Sequence, residues 1–113
     1  MADMLISTEP ATGAELWKGE VGDVDAEVRA AREGFEQWAS KPITYRMETL
    51  RRFANEALIG KNRLADLIAR ETGKPLWEAL TEVEAVINKV EISINAYNDR
   101  TPQRRSEGAL GAK

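Results

Sequence analysis

Cysteine and histidine are both absent from the chain. Without cysteine there is no disulfide framework and no thiolate nucleophile. Without histidine the commonest acid–base side chain is gone, and with it the usual transition-metal ligand. No apolar run approaches the ~20 residues that span a bilayer. The opening MADMLISTEP has neither the basic nor the apolar region of a secretory signal, so a cytoplasmic setting is expected. Basic residues are scattered, never beyond a pair such as Arg104–Arg105, and the net charge is −3. A nucleic-acid surface needs clustered Lys and Arg, so no nucleic-acid partner and no membrane partner is expected.

What remains is a chain of ordinary globular make-up, 42% apolar and 31% charged. Its patterning is mainly helical. Residues 4–20 read as a β-hairpin, with MLIS and AELWKGEV flanking EPATG. Pro10 pre-sets φ for the turn and Gly13 supplies the positive φ that closes it. Residues 1–3 are expected to fray. A first helix is predicted over 24–40, capped by Asp23 or Gly22, with Val24, Val28, Ala31, Phe35 and Trp38 on one face. Pro42 ends it. A second helix covers about 45–59 with Thr44 as its cap, and Met47, Leu50, Phe53, Ala54, Ala57 and Leu58 facing inward. Gly60 stops it. A short third helix over 63–72 is capped by Asn62, with Leu64, Leu67 and Ile68 inward.

The fourth helix starts at Pro75, a favoured first-turn residue, and runs to about Tyr97. Its main stripe is Leu76, Leu80, Val83, Ile87, Val90, Ile94 and Tyr97. A thinner seam lies opposite: Ala85, Ile92 and Ala96. One stripe suffices for a surface helix, so two imply cover on two sides. The first three helices can cover one side. The tail DRTPQRRSEGALGAK reads as extended or disordered. The fold class is therefore mainly α: an N-terminal hairpin and four helices over 1–107, with 108–113 as a tail.

Gly73–Lys74 invites comparison with a phosphate-binding loop. Such a loop needs several glycines, a preceding strand and Ser or Thr after the Lys. Here a helix precedes, one Gly is present and Pro75 follows. A left-handed helix stop is the better reading. Glu78, Glu82, Glu84 and Glu91 could form an acid–base pair or a hard-metal site. With no His and no Asp-x-Asp pattern, a solvated or salt-bridged face is the simpler account. Lys89 and Asn88 lie off the main stripe, as solvent-facing groups or partners for a substrate carboxylate. Trp38 falls in a core stripe, while Trp17 and Trp77 could pack or stack. From its chemistry alone the chain looks non-enzymatic, with no catalytic residue, no metal site and no cofactor site.

The order of the segments carries more. EPATGAELWKGEVGDVDAEVRAAREGFEQWA, then RMETLRRFANEAL, then LADLIARETGKPLWEALTEVEAVINKV resembles the N-terminal part of the NAD(P)-dependent aldehyde dehydrogenases. The P-A-T-G hairpin, the DVDAEVRAAREGF helix and the RETGKP junction are the marks, over residues 6 to about 107. RETGKPLWEALTEVEAVINKVEISINAYNDRT followed by RRSE is most similar to the family's succinylglutamate-semialdehyde branch, in arginine catabolism. The resemblance implies that the dinucleotide-binding sheet, the nucleophilic cysteine, the glutamate base and the oxyanion-stabilising asparagine belong to parts not contained in these residues. It also implies NAD as the parent's cofactor, with none bound by this chain. It places Val86, Asn88 and Lys89 at the substrate entrance, with Lys89 as an electrostatic guide for a dicarboxylate aldehyde. Exposed apolar helix faces would make this chain a homo-oligomer, or dock it on the remainder of a dehydrogenase. A stand-alone interaction or regulatory module is the alternative.

Overall fold

The computed structural model describes residues 3–103, 107–108 and 111–112. The chain opens with antiparallel strands β1 (Met4–Thr8) and β2 (Glu15–Glu20). Four helices follow: α1 (Val24–Ser40), α2 (Ile43–Ile59), α3 (Lys61–Thr72) and α4 (Leu76–Arg100). A two-residue strand pair, β3 (Glu107–Gly108) and β4 (Gly111–Ala112), closes the described part. The expected mainly helical class is what the chain adopts. Of the tail, residues 104–106, 109–110 and 113 lie outside the described residues, as do Met1 and Ala2 of the N-terminal stretch.

The hairpin turn forms as its residues dictate. Gly13 takes φ +76°. Its N–H donates to the Glu9 carbonyl at 2.8 Å, and the Glu9 N–H donates to Ala14 at 2.8 Å. Asp3 does not fray: its carbonyl accepts from Val21 at 3.1 Å and extends the ladder.

α1 begins where its capping residue predicts. Asp23 accepts from the N–H groups of Asp25 (3.0 Å) and Ala26 (3.2 Å). Side-chain caps fail at the other starts. Thr44 does not cap α2: the helix begins at Ile43, with the Pro42 carbonyl accepting from Arg46 at 3.2 Å. Asn62 does not cap α3: Gly60 does, its carbonyl accepting from Leu64 at 2.9 Å. Gly60 also ends α2, at φ −87°, so α2 runs into α3 through one residue. Pro75 sits one place before α4, as its N-cap, and α4 runs past Tyr97 to Arg100, taking in the first two residues of the predicted tail. Thr101 then caps it, donating from Oγ1 to the Tyr97 carbonyl at 2.7 Å.

The packed centre is small. Ala65, Ala79 and Val83 form it, with Leu64, Ile68, Ala69, Leu80 and Ile87 around them. Ala57, Val90 and Ile94 are buried nearby, where α2 meets α4. Two alanines at the α3–α4 contact let the backbones approach closely. Some larger residues expected inside are not. Leu67 is exposed, as are Leu50, Phe53, Leu58, Leu76 and Tyr97. α2 and α3 cover the main stripe of α4; α1 brings only Trp38 near its Ile94–Tyr97 end. No residue of α1 is buried, and Phe35 is 64% exposed. Trp38 is likewise exposed rather than core. In the second seam, Ala85 and Ile92 are exposed. The radius of gyration is 20.7 Å, against about 13 Å for a compact domain of this length.

Candidate functional site

The RETGKP junction is the first candidate. Gly73 ends α3 in the left-handed conformation, φ +76° and ψ 8°, with its N–H donating to Ala69 at 2.9 Å. A helix precedes it, so no phosphate cradle is built. Lys74 is spent on carboxylates: it pairs with Glu82 and lies 4.0 Å from Glu78. Its hydrogen bond to Glu82 holds the Lys74 pKa above the ordinary lysine value. The hairpin is tied to the same corner. Arg70 donates to Glu9 at 3.0 Å, and the Trp17 indole N–H donates to Glu71. Hydrogen bonds from Thr12 and Arg70 hold the Glu9 carboxyl below its usual range. Trp17 is therefore a tether, while Trp77 is 69% exposed on α4.

The α4 carboxylates are ion-paired, as the simpler reading expected. Besides Glu78 and Glu82, Glu84 pairs with Lys61 and Glu91 accepts from Arg51 Nε at 2.7 Å. The Arg51 hydrogen bond lowers the Glu91 pKa. Among the described residues no group of three acidic, His or Cys side chains could hold a metal ion.

The second candidate is the α2–α4 seam. Glu91 bridges across this seam to Arg51 of α2, while Glu84 bridges to Lys61 at the start of α3. Val86, Lys89 and Ser93, at i, i+3 and i+7, share another side. There the seam is an open apolar groove. A cavity of about 390 Å³ is lined by Phe53, Ala57, Leu64 and Val86, with Glu56 and Arg63 also on its wall. A second, of about 270 Å³, shares Phe53 and Val86 and adds Leu50, Lys89, Val90 and Ser93. A third, of about 200 Å³, shares Leu50 and Ser93 and reaches Arg46, Tyr97 and Trp38. Val86 and Lys89 therefore meet at one cavity, and exposed Asn88 lies outside its lining. Sequence reasoning missed Arg63 and the outward turn of Phe53.

Among the described residues no helix is long and apolar enough to cross a membrane. The model of the aldehyde dehydrogenase family matches residues 3–110, and the chain belongs to that family. It is 61% identical over its full 113 residues to the N-succinylglutamate 5-semialdehyde dehydrogenase of Sphingopyxis alaskensis, covering 24% of that protein. It is 58% identical over 106 residues to the same-named enzyme of Novosphingobium aromaticivorans, with 94% of the chain and 22% of the relative covered. The Paraburkholderia xenovorans enzyme of that name is 48% identical over 108 residues, 93% of the chain and 22% of the relative. The chain thus spans about a quarter of the length of these relatives.

Proposed function

We propose that this chain is the N-terminal hairpin-and-helix layer of an NAD-dependent dehydrogenase acting on succinylglutamate semialdehyde, and that alone it is catalytically inert. The observation that carries this reading is identity to such dehydrogenases along the whole chain, over only about a quarter of their length. The parent reaction is oxidation of an aldehyde to a carboxylate, in a cytoplasmic route of arginine breakdown. Its thiol nucleophile cannot come from these residues, which contain no cysteine. NAD is held by other parts of the enzyme, and this chain binds none.

Within that enzyme Val86, Asn88 and Lys89 border the substrate entrance. Lys89 has no carboxylate within 4.0 Å among the described residues. Its charge is free to draw in a dicarboxylate aldehyde. In a full-length relative carrying this lysine, Lys89→Ala should raise KM for the dicarboxylate aldehyde and spare kcat, and Lys89→Arg should restore KM. An unchanged KM in the alanine variant would sink this role.

Titration with NAD, followed by tryptophan fluorescence and calorimetry, tests the reading for the isolated chain. No saturable signal is expected up to millimolar NAD; clear micromolar binding refutes it. The exposed stripe of α1 favours a second reading, a helical module that docks on a full-length dehydrogenase. Co-purification with such a subunit at fixed stoichiometry supports it, and separate elution removes it.

A further inference from the structure

We infer that Lys74 sets the charge of the proposed substrate entrance: by pairing with Glu82 it masks an acid that would otherwise repel a dicarboxylate aldehyde, and so acts as a specificity-determining residue. The inference rests on the entrance reading of Val86 and Lys89.

The corner holds the lysine where it can do this. Gly73 turns the chain at φ +76°. The Lys74 N–H donates to Thr72 Oγ1 at 3.4 Å, and Pro75 leads into α4 at φ −60°. The Lys74 side chain then pairs with Glu82 and lies 4.0 Å from Glu78. The lysine is the more covered partner in both pairs. Its raised pKa keeps it charged at neutral pH.

Helix period puts this pairing on the entrance face. At about 100° per residue, Glu82 lies about 40° around the axis from Val86, and Lys89 about 60° on the same side. Along the axis Glu82 is about 6 Å from Val86 and about 10 Å from Lys89. Glu84 and Glu91 lie about 140–160° away from Val86, and their bridges run to Lys61 and Arg51. Glu82 is therefore the α4 acid nearest the entrance, and Glu78 lies one turn further back. One lysine serves both. All of these pairings are internal to the chain.

An unmasked Glu82 would oppose Lys89. Two unit charges about 10 Å apart change a binding constant about two-fold in bulk water, and on the order of ten-fold near a protein surface. A substrate with two carboxylates feels that change, and an uncharged aldehyde does not. The junction that resembles a phosphate-binding loop thus serves an anion indirectly: its lysine cancels a negative charge instead of holding the ligand.

Steady-state kinetics on a full-length relative carrying Lys74, Glu82 and Lys89 test this, with succinylglutamate semialdehyde and an uncharged aliphatic aldehyde compared. Lys74→Gln should raise KM for the first about two- to ten-fold. It should spare KM for the second and kcat for both, and its effect should fade as salt rises to about 1 M. Glu82→Gln alone should lower KM for the dicarboxylate. Lys74→Gln combined with Glu82→Gln should return KM to the parent value, because the acid is gone although the ion pair is gone too. Circular dichroism reports the fold of each variant. Glu82→Gln leaves the corner lysine in place and carries the test if Lys74→Gln does not fold. An unchanged KM in Lys74→Gln, beside a raised one in Lys89→Ala, overturns the inference and leaves the entrance reading standing. So does a KM that rises equally for both aldehydes, one that the double variant fails to restore, or a Glu82→Gln enzyme with no lowered KM. If Lys89→Ala changes nothing, the entrance reading falls and the inference falls with it.

Discussion

Gly73→Ala is the sharpest probe of the α3–α4 corner. The residue sits at φ +76°. An L-residue held in the left-handed region loses about 1–2 kcal/mol. Steric conflict adds nothing, because a Cβ there would meet Pro10 at 3.8 and 3.9 Å, ordinary contact distances. Alanine also narrows the unfolded ensemble, which returns about 0.4–1 kcal/mol. The net expectation is a destabilisation of about 1 kcal/mol, or roughly 4–8 °C in Tm for a domain of this size. Urea denaturation followed at the helical dichroism band measures it, at one fixed protein concentration.

Two comparisons make the result specific. Gly73→Asn should cost less than Gly73→Ala, because Asn tolerates the left-handed conformation. Gly13 has the same φ, +76°, with open space around its would-be Cβ. It lies in the hairpin, outside the α3–α4 centre, so Gly13→Ala should leave the helical transition almost unmoved. A Gly73→Ala chain as stable as its parent would refute the reasoning. An asparagine variant weaker than the alanine one would do so too.

Ala79 is fully buried between α3 and α4, so Ala79→Leu should overpack the contact and cost about 1–3 kcal/mol by the same urea assay. Acid should weaken the fold through Glu9 and Glu91. Their folded pKa values lie below the ordinary carboxylate value, so their contribution is complete above the unfolded pKa and is lost as pH falls through the folded one. Lys74 has the opposite sign. Its pKa is raised, so its contribution is complete below the unfolded lysine pKa and is lost as pH rises through the folded one. Thermal melts from pH 2 to 12 should show both flanks, with Glu91→Gln flattening part of the acid one. The Arg51–Glu91 pair is about half exposed, so 1 M salt should shrink its share most, while the more covered Glu9 and Lys74 should be screened less.

The helices were legible because amphipathic period is a local property. α1 keeps its predicted bounds, since Asp23 is a side-chain cap and Pro42 blocks continuation. The starts of α2 and α3 were misjudged for a related reason. Pro42 and Gly60 cap through backbone carbonyls alone, and a nearby Thr44 or Asn62 is a decoy. Size misled the reading of the centre. Ala57 is buried as expected, but so are Ala65 and Ala79, where Leu58 and Leu67 are not, because close helix approach selects small side chains. At the candidate site Val86 and Lys89 were singled out by family resemblance alone, and the fold sets both on one cavity. Arg63 was not, because only the fold carries the start of α3 alongside Val86.

A stripe of apolar residues says that a face needs cover, never what supplies it. α1 makes the point. Its cap, its acidic first turn and charges spaced four apart, such as Asp25 with Arg29 and Arg32 with Glu36, all favour a helix. Yet a helix of 17 residues is marginal in water without a packed face. Local terms draw the helix; burial of Val28 and Phe35 must hold it. The α2–α4 pair does not have that dependence, since Val90 and Ile94 are already covered and Arg51 bridges to Glu91. Stability in this chain is therefore uneven. α2, α3 and α4 share the packed centre, and α1 is the element whose order depends on whatever its apolar face meets.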